Sequence, residues 1–355
     1  MLPNKTALDL IKKYIDIFKE GNNIDEFKKE LINNLLNSSG VLVKTDDGTY
    51  TLVSEDEDEL MHSRIGALTE SVEKFAIPSN LKNMGNPKIL DLCSGMGYNA
   101  IAALHFNKNC EIDMVEYSEE TLFLSLCLDI PYKEHELIKE VIKDYFLNKR
   151  SNNKKIENKD IKNNKINLYV GDARKIVKKL DKKYNIVFHD AFSPQRDAVL
   201  YTVDFLKEIY KKMDDDAVLI SYSSSIPFRS ALVEVGFILS EGAPVGRKRG
   251  ITIAYKNPSS DRDLKRISEV DERLIALSTV GVPYRDSNLD LDHDTIIMNR
   301  EVEREKLKEE LSKIDRYYST KKVKLGKIDE KFLNIQKLNL NSSEIIMRMK
   351  EELRN

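Results

Sequence analysis

Ile89-Leu-Asp-Leu-Cys-Ser-Gly-Met-Gly-Tyr-Asn99 is the stretch that decides the fold, because an apolar strand breaks here into a glycine-rich turn followed by an apolar helix. Gly95 and Gly97 let the backbone approach a ligand, and the helix N-terminus follows at once. The third glycine of a dinucleotide fingerprint is missing, since Ile101 and Ala102 occupy its place. The turn predicts a site for a nucleotide-like cofactor, and a plain strand-to-helix turn is the alternative.

Strands and helices alternate on both sides of this turn. From residue 86 onward the pattern predicts seven strands, at 88–92, 111–116, 166–171, 184–190, 215–222, 236–240 and 250–256. Such alternation is typical of an α/β, Rossmann-like fold with a mostly parallel sheet covered on both faces. Only a short turn separates the last two strands, so we expect the last strand to return as an antiparallel edge.

Three segments are predicted along the chain. Residues 1–85 carry two helices around a break at Gly21 and a β-hairpin around Asp47-Gly48, which together form an N-terminal cap. Residues 86–258 form the core, within which 148–165 is polar, rich in Asn and Lys, and expected to be a flexible insertion. Residues 259–355 form a charged helical extension, with a surface helix at 294–316 and a helical tail at 326–355.

Composition narrows the class of protein. The chain has 57 Lys plus Arg against 59 Asp plus Glu and a net charge of −2, so contacts with nucleic acid must come from local patches. The 3 cysteines have no CxxC spacing and no matching histidine cluster, which argues against a disulfide framework or a metal site and favours the cytoplasm. No signal peptide and no membrane span are expected.

Four acidic residues at the ends of predicted strands are candidates for binding a cofactor. Asp91, Glu116, Asp172 and Asp190 end, or closely follow, the first four strands of the predicted sheet, whose carboxyl ends line one crevice. Glu116 could accept both ribose hydroxyls of an adenosine, and Asp172 would suit the adenine amino group. Each acid alone could equally be a helix N-cap or a first-turn carboxylate, but the series following a glycine turn favours a site.

Asp190 is the strongest catalytic candidate. It begins Asp190-Ala-Phe-Ser-Pro194, where a strand delivers a carboxylate, an aromatic ring and a proline-fixed turn together. A carboxylate beside an acceptor amine can accept an N–H bond and stabilise the developing ammonium during methyl transfer. Its ordinary pKa makes it a weak base for an amine, so we assign it to orientation and electrostatics. Phe192 could stack on a base or cover the methyl group.

The glycine turn resembles motif I of class I S-adenosylmethionine-dependent methyltransferases, and a longer string of motifs resembles the methyltransferase part of the MnmC family. That family completes the 5-methylaminomethyl group on the wobble uridine of certain tRNAs. The resemblance covers roughly residues 40–257, and its most specific motifs are Met61-His-Ser-Arg-Ile-Gly-Ala-Leu-Thr-Glu70 and Gly246-Arg-Lys-Arg-Gly-Ile-Thr252. Further matching motifs are Thr45–Glu55, Asp190–Pro194, Ser221–Ser225, Phe228–Leu232 and Val235–Phe237.

The resemblance implies a set of site residues. S-adenosylmethionine would be held by Asp91, Ser94, Gly95, Gly97, Asn99, Glu116, Asp172, Ala173 and Glu70. Asp190 would face the aminomethyl nitrogen. On the substrate side the resemblance implies His62, Ser63, Phe192, Ser193, Pro194, Tyr222, Arg247, Lys248 and Arg249. The three cations in a row suit tRNA phosphates, although they could instead form an exposed hairpin turn, and Tyr222 could stack on uracil or simply pack.

The implied protein is a stand-alone methyltransferase, because the chain has no second glycine-rich dinucleotide site for the FAD-dependent half of bifunctional MnmC proteins. Its expected partners are tRNA and the upstream enzymes that install the aminomethyl group, with no metal and no membrane. Alternatives are an aminopropyltransferase of the spermidine synthase type, a non-catalytic RNA-binding protein with this fold, and a methyltransferase of a peptide or small amine. An acidic amine pocket would favour the aminopropyltransferase, whereas Arg247–Arg249 argue for RNA.

Overall fold

The computed structural model describes residues 4–38, 40–54, 60–150, 159–161, 164–245, 249–260 and 262–355. Contacts between residues divide the chain into two compact units. Unit 1 comprises the described residues within Met1–Ile176, Ile186–Phe192 and Val245–Lys248, and unit 2 those within Val177–Asn185, Ser193–Pro244 and Arg249–Asn355. These bounds differ from the three segments predicted from the sequence.

Unit 1 begins with two helices and a hairpin. Its helices are α1 (Lys5–Lys19), α2 (Ile24–Asn33), α3 (Ala67–Ser71), α4 (Tyr98–Phe106), α5 (Glu119–Cys127) and α6 (His135–Arg150). Its strands are β1 (Leu42–Lys44), β2 (Tyr50–Leu52), β3 (Lys88–Leu92), β4 (Glu111–Glu116), β5 (Lys159–Ile161) and β6 (Asn164–Val170). Helix α7 (Ala173–Lys179) and strand β7 (Tyr184–His189) contain residues of both units.

The sheet of unit 1 has the strand order β5-β6-β4-β3-β7. Strands β6, β4, β3 and β7 are parallel, and the pairs Leu90↔Asp113 and Leu90↔Val187 give the register around the central strand. These strands are apolar over most of their length because both faces of a parallel sheet are covered. Strand β5 pairs antiparallel with β6 and was not predicted. The rest of the predicted flexible insertion, 151–158 and 162–163, lies outside the described residues.

The predicted N-terminal helices and hairpin are confirmed. Asn4 and Asn23 cap α1 and α2, each accepting a backbone N–H through its side chain. The two helices pack on α5 through aromatic rings: Phe123 lies 5.7 Å from Phe18 and 6.3 Å from Phe27 between ring centroids. Strands β1 and β2 pair antiparallel around the Asp47-Gly48 turn. The N-terminal segment is therefore part of the core of unit 1.

Unit 2 contains α8 (Val203–Lys212), β8 (Met213–Ser221), α9 (Ile226–Val235), β9 (Ile238–Glu241), β10 (Thr252–Tyr255), α10 (Glu269–Leu277), α11 (His293–Lys313), α12 (Thr320–Lys324), α13 (Glu330–Gln336) and α14 (Ser342–Arg354). Strand β10 is antiparallel, as predicted for the last strand. It pairs with both β8 and β9, so β9 holds the edge position that we expected for β10.

The charged extension is only partly a surface element. Helix α11 is the predicted surface helix, and among its residues only Ile296 and Leu311 are buried. The predicted tail is instead packed: α14 buries Ile345, Ile346 and Met349 and contacts α10 and β9. A buried polar network joins it to α10, since Ser342 Oγ donates to Glu272 at 2.8 Å. Helical periodicity predicted the helices, but their high charge concealed these buried faces.

Two further findings concern the whole described chain. No helix in those ranges is both long and apolar enough to cross a membrane. Among the described residues, no group of three or more His, Cys, Asp and Glu side chains is arranged to hold a metal ion.

Candidate active site

The glycine-rich turn of unit 1 has the backbone geometry of a ligand cradle. Between β3 and α4, Cys93, Gly95 and Gly97 all have positive φ angles, of 61°, 54° and 85°. A Cβ atom at Gly97 would lie 2.9 Å from the Ile138 side chain, so this position needs glycine for both conformation and space. Ser94 Oγ donates to the carbonyl oxygen of Asp91 at 2.9 Å and closes the turn.

Asp91 is a buried carboxylate that lacks partners. Its side chain is 0% exposed, and neither carboxylate oxygen has a hydrogen-bond partner among the described residues. Burial, reinforced by the charge of Asp190, raises the pKa of Asp91 to about 7, while the nearby Ser94 and Asn99 side chains oppose the rise without making a hydrogen bond of normal geometry. Because an unpaired buried polar group is costly, this position fits a ligand that brings a positive or donor group. The ammonium group of an amino-acid cofactor has that chemistry.

Glu116 holds the turn from the neighbouring strand. Its carboxylate accepts the backbone N–H groups of Gly95 at 2.7 Å, Ser118 at 2.8 Å and Tyr117 at 2.9 Å. Burial raises the pKa of Glu116, and these hydrogen bonds oppose the rise. A carboxylate offers about four lone-pair positions, so one remains for a ribose hydroxyl. The ribose role stays a prediction beside this positioning role.

Asp172 has a local partner that the sequence pattern did not reveal. Its carboxylate accepts from Arg174 through the backbone N at 2.9 Å, Nε at 3.2 Å and Nη2 at 3.0 Å. Both oxygens are thus engaged by one residue at the start of α7, where Ala173 is buried. This arrangement matches the alternative of a helix N-cap, because Asp172 directly precedes α7 and accepts the backbone N–H of Arg174. Binding of adenine by Asp172 stays a prediction, and it requires Arg174 to share the carboxylate.

Asp190 is brought to the cofactor turn by strand β7. Its backbone N–H donates to Leu92 O at 3.3 Å, and its Oδ2 accepts from Asn99 Nδ2 at 2.9 Å. The carboxylate is only partly exposed, and burial raises its pKa, although His62 and Asn99 oppose the rise. Asn99 therefore orients the catalytic candidate, and its own Oδ1 is buried with no partner in the described chain.

Residues of the N-terminal motif surround Asp190. The His62 backbone N–H donates to Thr51 Oγ1 at 2.9 Å, and the His62 ring meets Tyr98 edge-on at 5.5 Å. Burial lowers the pKa of His62 and favours the neutral imidazole, while the charge of Asp190 opposes this shift. Glu70 accepts the Ser63 backbone N–H at 3.3 Å. Two predicted substrate residues and one predicted cofactor residue are thus brought together in unit 1.

A buried ion pair near Asp190 was not predicted from the sequence. Lys74 Nζ lies 2.9 Å from Glu70 Oε2, and both residues are buried. Burial raises the pKa of Glu70, but the Lys74 charge outweighs it, so the net pKa falls below the usual value. The i,i+4 spacing of glutamate and lysine was the available signal. The charge of Lys74 also opposes the rise in the pKa of Asp190.

Asp47 in the hairpin turn positions this motif. Its carboxylate accepts from Thr69 N at 2.9 Å and from Thr49 Oγ1 at 2.6 Å. A Cβ atom at Gly66, whose φ is 130°, would lie 1.9 Å from the Asp47 carboxylate carbon. Gly66 therefore allows the hairpin turn to dock against the start of α3. The hairpin, which we predicted only as part of a cap, fixes the segment that carries Glu70.

The remaining predicted substrate residues are distributed differently. Phe192 closes the Asp190 segment of unit 1, whereas Ser193, Pro194, Tyr222 and Arg249 belong to unit 2. Pro194 and Arg249 line a cavity of about 680 Å³ in unit 2, and Tyr222 is not among its lining residues. The Arg249 guanidinium pairs with the buried carboxylate of Asp271. Arg247 and Lys248 lie outside the described residues.

The sheet, the glycine turn and the acidic series define a class I methyltransferase whose cofactor is S-adenosylmethionine. A family model described as S-adenosyl-L-methionine-dependent methyltransferase matches residues 132–257. The chain therefore contains an S-adenosylmethionine-dependent methyltransferase domain similar to that of MnmC proteins. It is similar over 84% of its length to MnmC2 from Aquifex aeolicus, with a TM-score of 0.62, 28% identity and 99% of that chain covered.

Two curated relatives extend the comparison. The uncharacterized protein MJ0670 of Methanocaldococcus jannaschii is 62% identical over 350 residues, which are 99% of this chain and 96% of the relative. The Burkholderia vietnamiensis tRNA 5-methylaminomethyl-2-thiouridine biosynthesis bifunctional protein MnmC is 35% identical over 72 residues, 20% of this chain and 11% of that protein.

Proposed function

We propose that this protein transfers a methyl group from S-adenosylmethionine to the primary amine of 5-aminomethyluridine at the wobble position of tRNA. The MnmC relative is named for the biosynthesis of a 5-methylaminomethyl nucleoside in tRNA. That group differs from an aminomethyl group by one methyl on nitrogen. A substrate of this kind places the protein in the cytoplasm, after the enzymes that install the aminomethyl group.

The pairing of Asp190 with Asn99 carries this proposal. S-adenosylmethionine supplies an electrophilic methyl carbon bound to a sulfonium. The acceptor nitrogen must be neutral and must aim its lone pair at that carbon. Asn99 Nδ2 donates a hydrogen bond to Asp190 Oδ2 at 2.9 Å. The other carboxylate oxygen of Asp190 is left to accept an N–H of the acceptor amine. Asp190 thereby orients the nitrogen and stabilises the positive charge that develops on it.

The surroundings of Asp190 suit an electrostatic role more than proton abstraction. Burial raises its pKa, and the hydrogen bond from Asn99 opposes the rise because it favours the ionised carboxylate that the electrostatic role needs. Burial also lowers the pKa of His62, and its neutral ring can accept a hydrogen bond from the substrate. The proton lost by the amine passes to solvent, because Asp190 is partly exposed.

A nucleoside assay tests the proposal directly. Purified protein is incubated with methyl-labelled S-adenosylmethionine and tRNA that carries 5-aminomethyluridine, and the digested nucleosides are separated by chromatography and mass spectrometry. We expect label in 5-methylaminomethyluridine. Label found only in polyamines or in protein would refute the proposed substrate.

Two variants test the role of Asp190. Asp190→Asn should lower turnover by about 100-fold or more, because it removes the charge that stabilises the developing ammonium, while S-adenosylhomocysteine affinity changes little. Asp46→Asn, which alters an exposed carboxylate of the same unit, is the matched control and should retain full activity. Loss of cofactor affinity in Asp190→Asn would instead assign this residue to the cofactor site.

A further inference from the structure

The cavity of unit 2 is lined by both polar and apolar residues. It encloses about 680 Å³ and is lined by side chains of Pro194, Ile226, Leu274 and Ile297 among its apolar residues. The start of α9 also forms part of its wall, and a helix N-terminus carries partial positive charge. A volume of this size exceeds what a single inorganic anion needs and is typical of a site for a nucleotide-sized ligand.

The carboxylate that lines the cavity is already neutralised. Asp271 is buried and pairs with Arg229 Nη1 at 2.8 Å and with the Arg249 guanidinium. Arg229 is 0% exposed and also donates to Thr252 Oγ1 at 2.9 Å. Because Asp271 faces two guanidinium groups, it does not repel an anion that enters the cavity.

Two other lining residues offer hydrogen-bond donors. Lys324, exposed on α12, has no hydrogen bond or ion pair within the described ranges. His293 Nδ1 accepts the backbone N–H of Ala198 at 3.0 Å, so its neutral ring carries the proton on Nε2 and can donate. Arg300 also lines the cavity, but its guanidinium already donates to the carbonyl oxygens of Val282 at 2.7 Å and Val280 at 3.0 Å.

We propose that this cavity binds a nucleotide of the RNA substrate, with Lys324 and His293 contacting its phosphate and the apolar lining residues contacting its ribose or base. This inference rests on the proposed function, because a protein that modifies an RNA must also contact nucleotides other than the target base. Phosphate contacts fix the register of a protein on a nucleic acid. The balanced overall charge requires such a local site, since no broad basic surface is expected from the composition.

The test compares tRNA binding by three variants of α12 in the full chain. Lys324→Ala removes the proposed contact, Lys324→Arg keeps the charge, and Lys322→Ala removes an exposed cation of the same helix that does not line the cavity. We expect Lys324→Ala to weaken tRNA affinity about threefold to tenfold and to reduce the slope of log K against log salt by about 0.7, the share of one phosphate contact to a single strand. Lys324→Arg should restore both quantities, and Lys322→Ala should match the wild type.

Three outcomes would overturn the inference. Equal effects of Lys324→Ala and Lys322→Ala would exclude the cavity from the RNA surface. Calorimetric binding of inorganic phosphate or of uridine 5′-monophosphate that Lys324→Ala abolishes, without any change in tRNA affinity, would assign the cavity to a free anion or nucleotide. Failure of Lys324→Arg to restore binding would show that charge at this position is not responsible.

The inference and the proposed function can fail separately. The nucleoside assay on wild-type protein runs in parallel with the binding series. Label in 5-methylaminomethyluridine together with unaltered binding by Lys324→Ala would refute the cavity assignment alone. Absence of that label together with weakened tRNA binding by Lys324→Ala would support the cavity and refute the proposed methyl acceptor.

Discussion

The pH dependence of cofactor binding should report the ionisation of Asp91. This carboxylate is 0% exposed, has no hydrogen-bond partner among the described residues, and has a pKa raised by burial to about 7. A cofactor that brings an ammonium group into contact with Asp91 stabilises the ionised form and lowers its pKa. By linkage, the cofactor must then bind the ionised protein more tightly than the protonated protein.

The size of the effect follows from this pKa. A carboxyl with a pKa of about 7 is about 75% ionised at pH 7.5 and about 3% ionised at pH 5.5, so affinity should fall about 25-fold between them. The sign is fixed: affinity decreases as pH falls, because protons compete with the cofactor for Asp91. Near pH 6, where the free carboxyl is mostly protonated, binding should release about 0.9 proton.

Calorimetry with S-adenosylhomocysteine at pH 5.5, 6.5 and 7.5 measures both quantities, since repetition in buffers of different ionisation enthalpy gives the protons released. Asp91→Asn is the control and should bind with a much flatter pH dependence. Any slope that persists in Asp91→Asn belongs to other groups such as Glu116, whose pKa burial also raises. If wild type and Asp91→Asn lose affinity in parallel as pH falls, Asp91 does not contact a charged group of the cofactor.

Three more variants test the site and the fold. Asn99→Ala removes the 2.9 Å hydrogen bond that orients Asp190. Turnover in the tRNA assay should therefore fall about 10-fold to 100-fold, while cofactor affinity stays nearly the same. Equal losses of turnover and of cofactor affinity would contradict a positioning role. Gly97→Ala should cost about 1–3 kcal/mol of stability in chemical denaturation, because its φ is 85°, and an unchanged midpoint would show that the turn tolerates a side chain. Glu272→Ala should lower the free energy of unfolding by about 3–5 kcal/mol, because it leaves buried partners unpaired. The control Glu330→Ala alters an exposed residue and should change this free energy little. Similar changes in both variants would mean that the Glu272 network does not stabilise the fold.

Much of unit 1 could be predicted from the sequence because its signals are local. The apolar strand before Gly95 and the residues with positive φ lie within one short segment, and the hairpin turn at Asp47-Gly48 is equally local. Strand β5 could not be predicted, because its residues have a polar composition that is typical of loops. Its pairing with β6 depends on the neighbouring strand and not on its own pattern.

The sequence indicated which residues belong to the candidate site, but it did not indicate which residues they would form hydrogen bonds with. Asp190 and Asn99 were both identified, yet their hydrogen bond joins positions 91 residues apart and no spacing indicates it. Asp172 is engaged by Arg174, and Arg249 is engaged by Asp271, so two predicted ligand contacts have protein partners already. A sequence shows which residues carry charge, but the competition among partners is decided only when the fold brings them together.

Glu272 and Asp91 together show that hydrogen-bond partners, and not burial, distinguish a structural acid from a candidate site residue. Both side chains are 0% exposed. Glu272 receives hydrogen bonds from Arg266, Gln336 and Ser342, so its charge is satisfied within the protein and contributes to one defined arrangement of α10 and α14. In the described chain the Asp91 carboxylate oxygens have no hydrogen bond of normal geometry, and the Ser94 and Asn99 side chains only oppose the rise in its pKa. Because leaving a carboxylate unpaired in the interior costs free energy, its persistence beside the glycine turn is best explained by a ligand that pairs with it. We therefore expect a bound cofactor to complete the polar network of unit 1 and to stabilise the folded protein most where Asp91 is ionised.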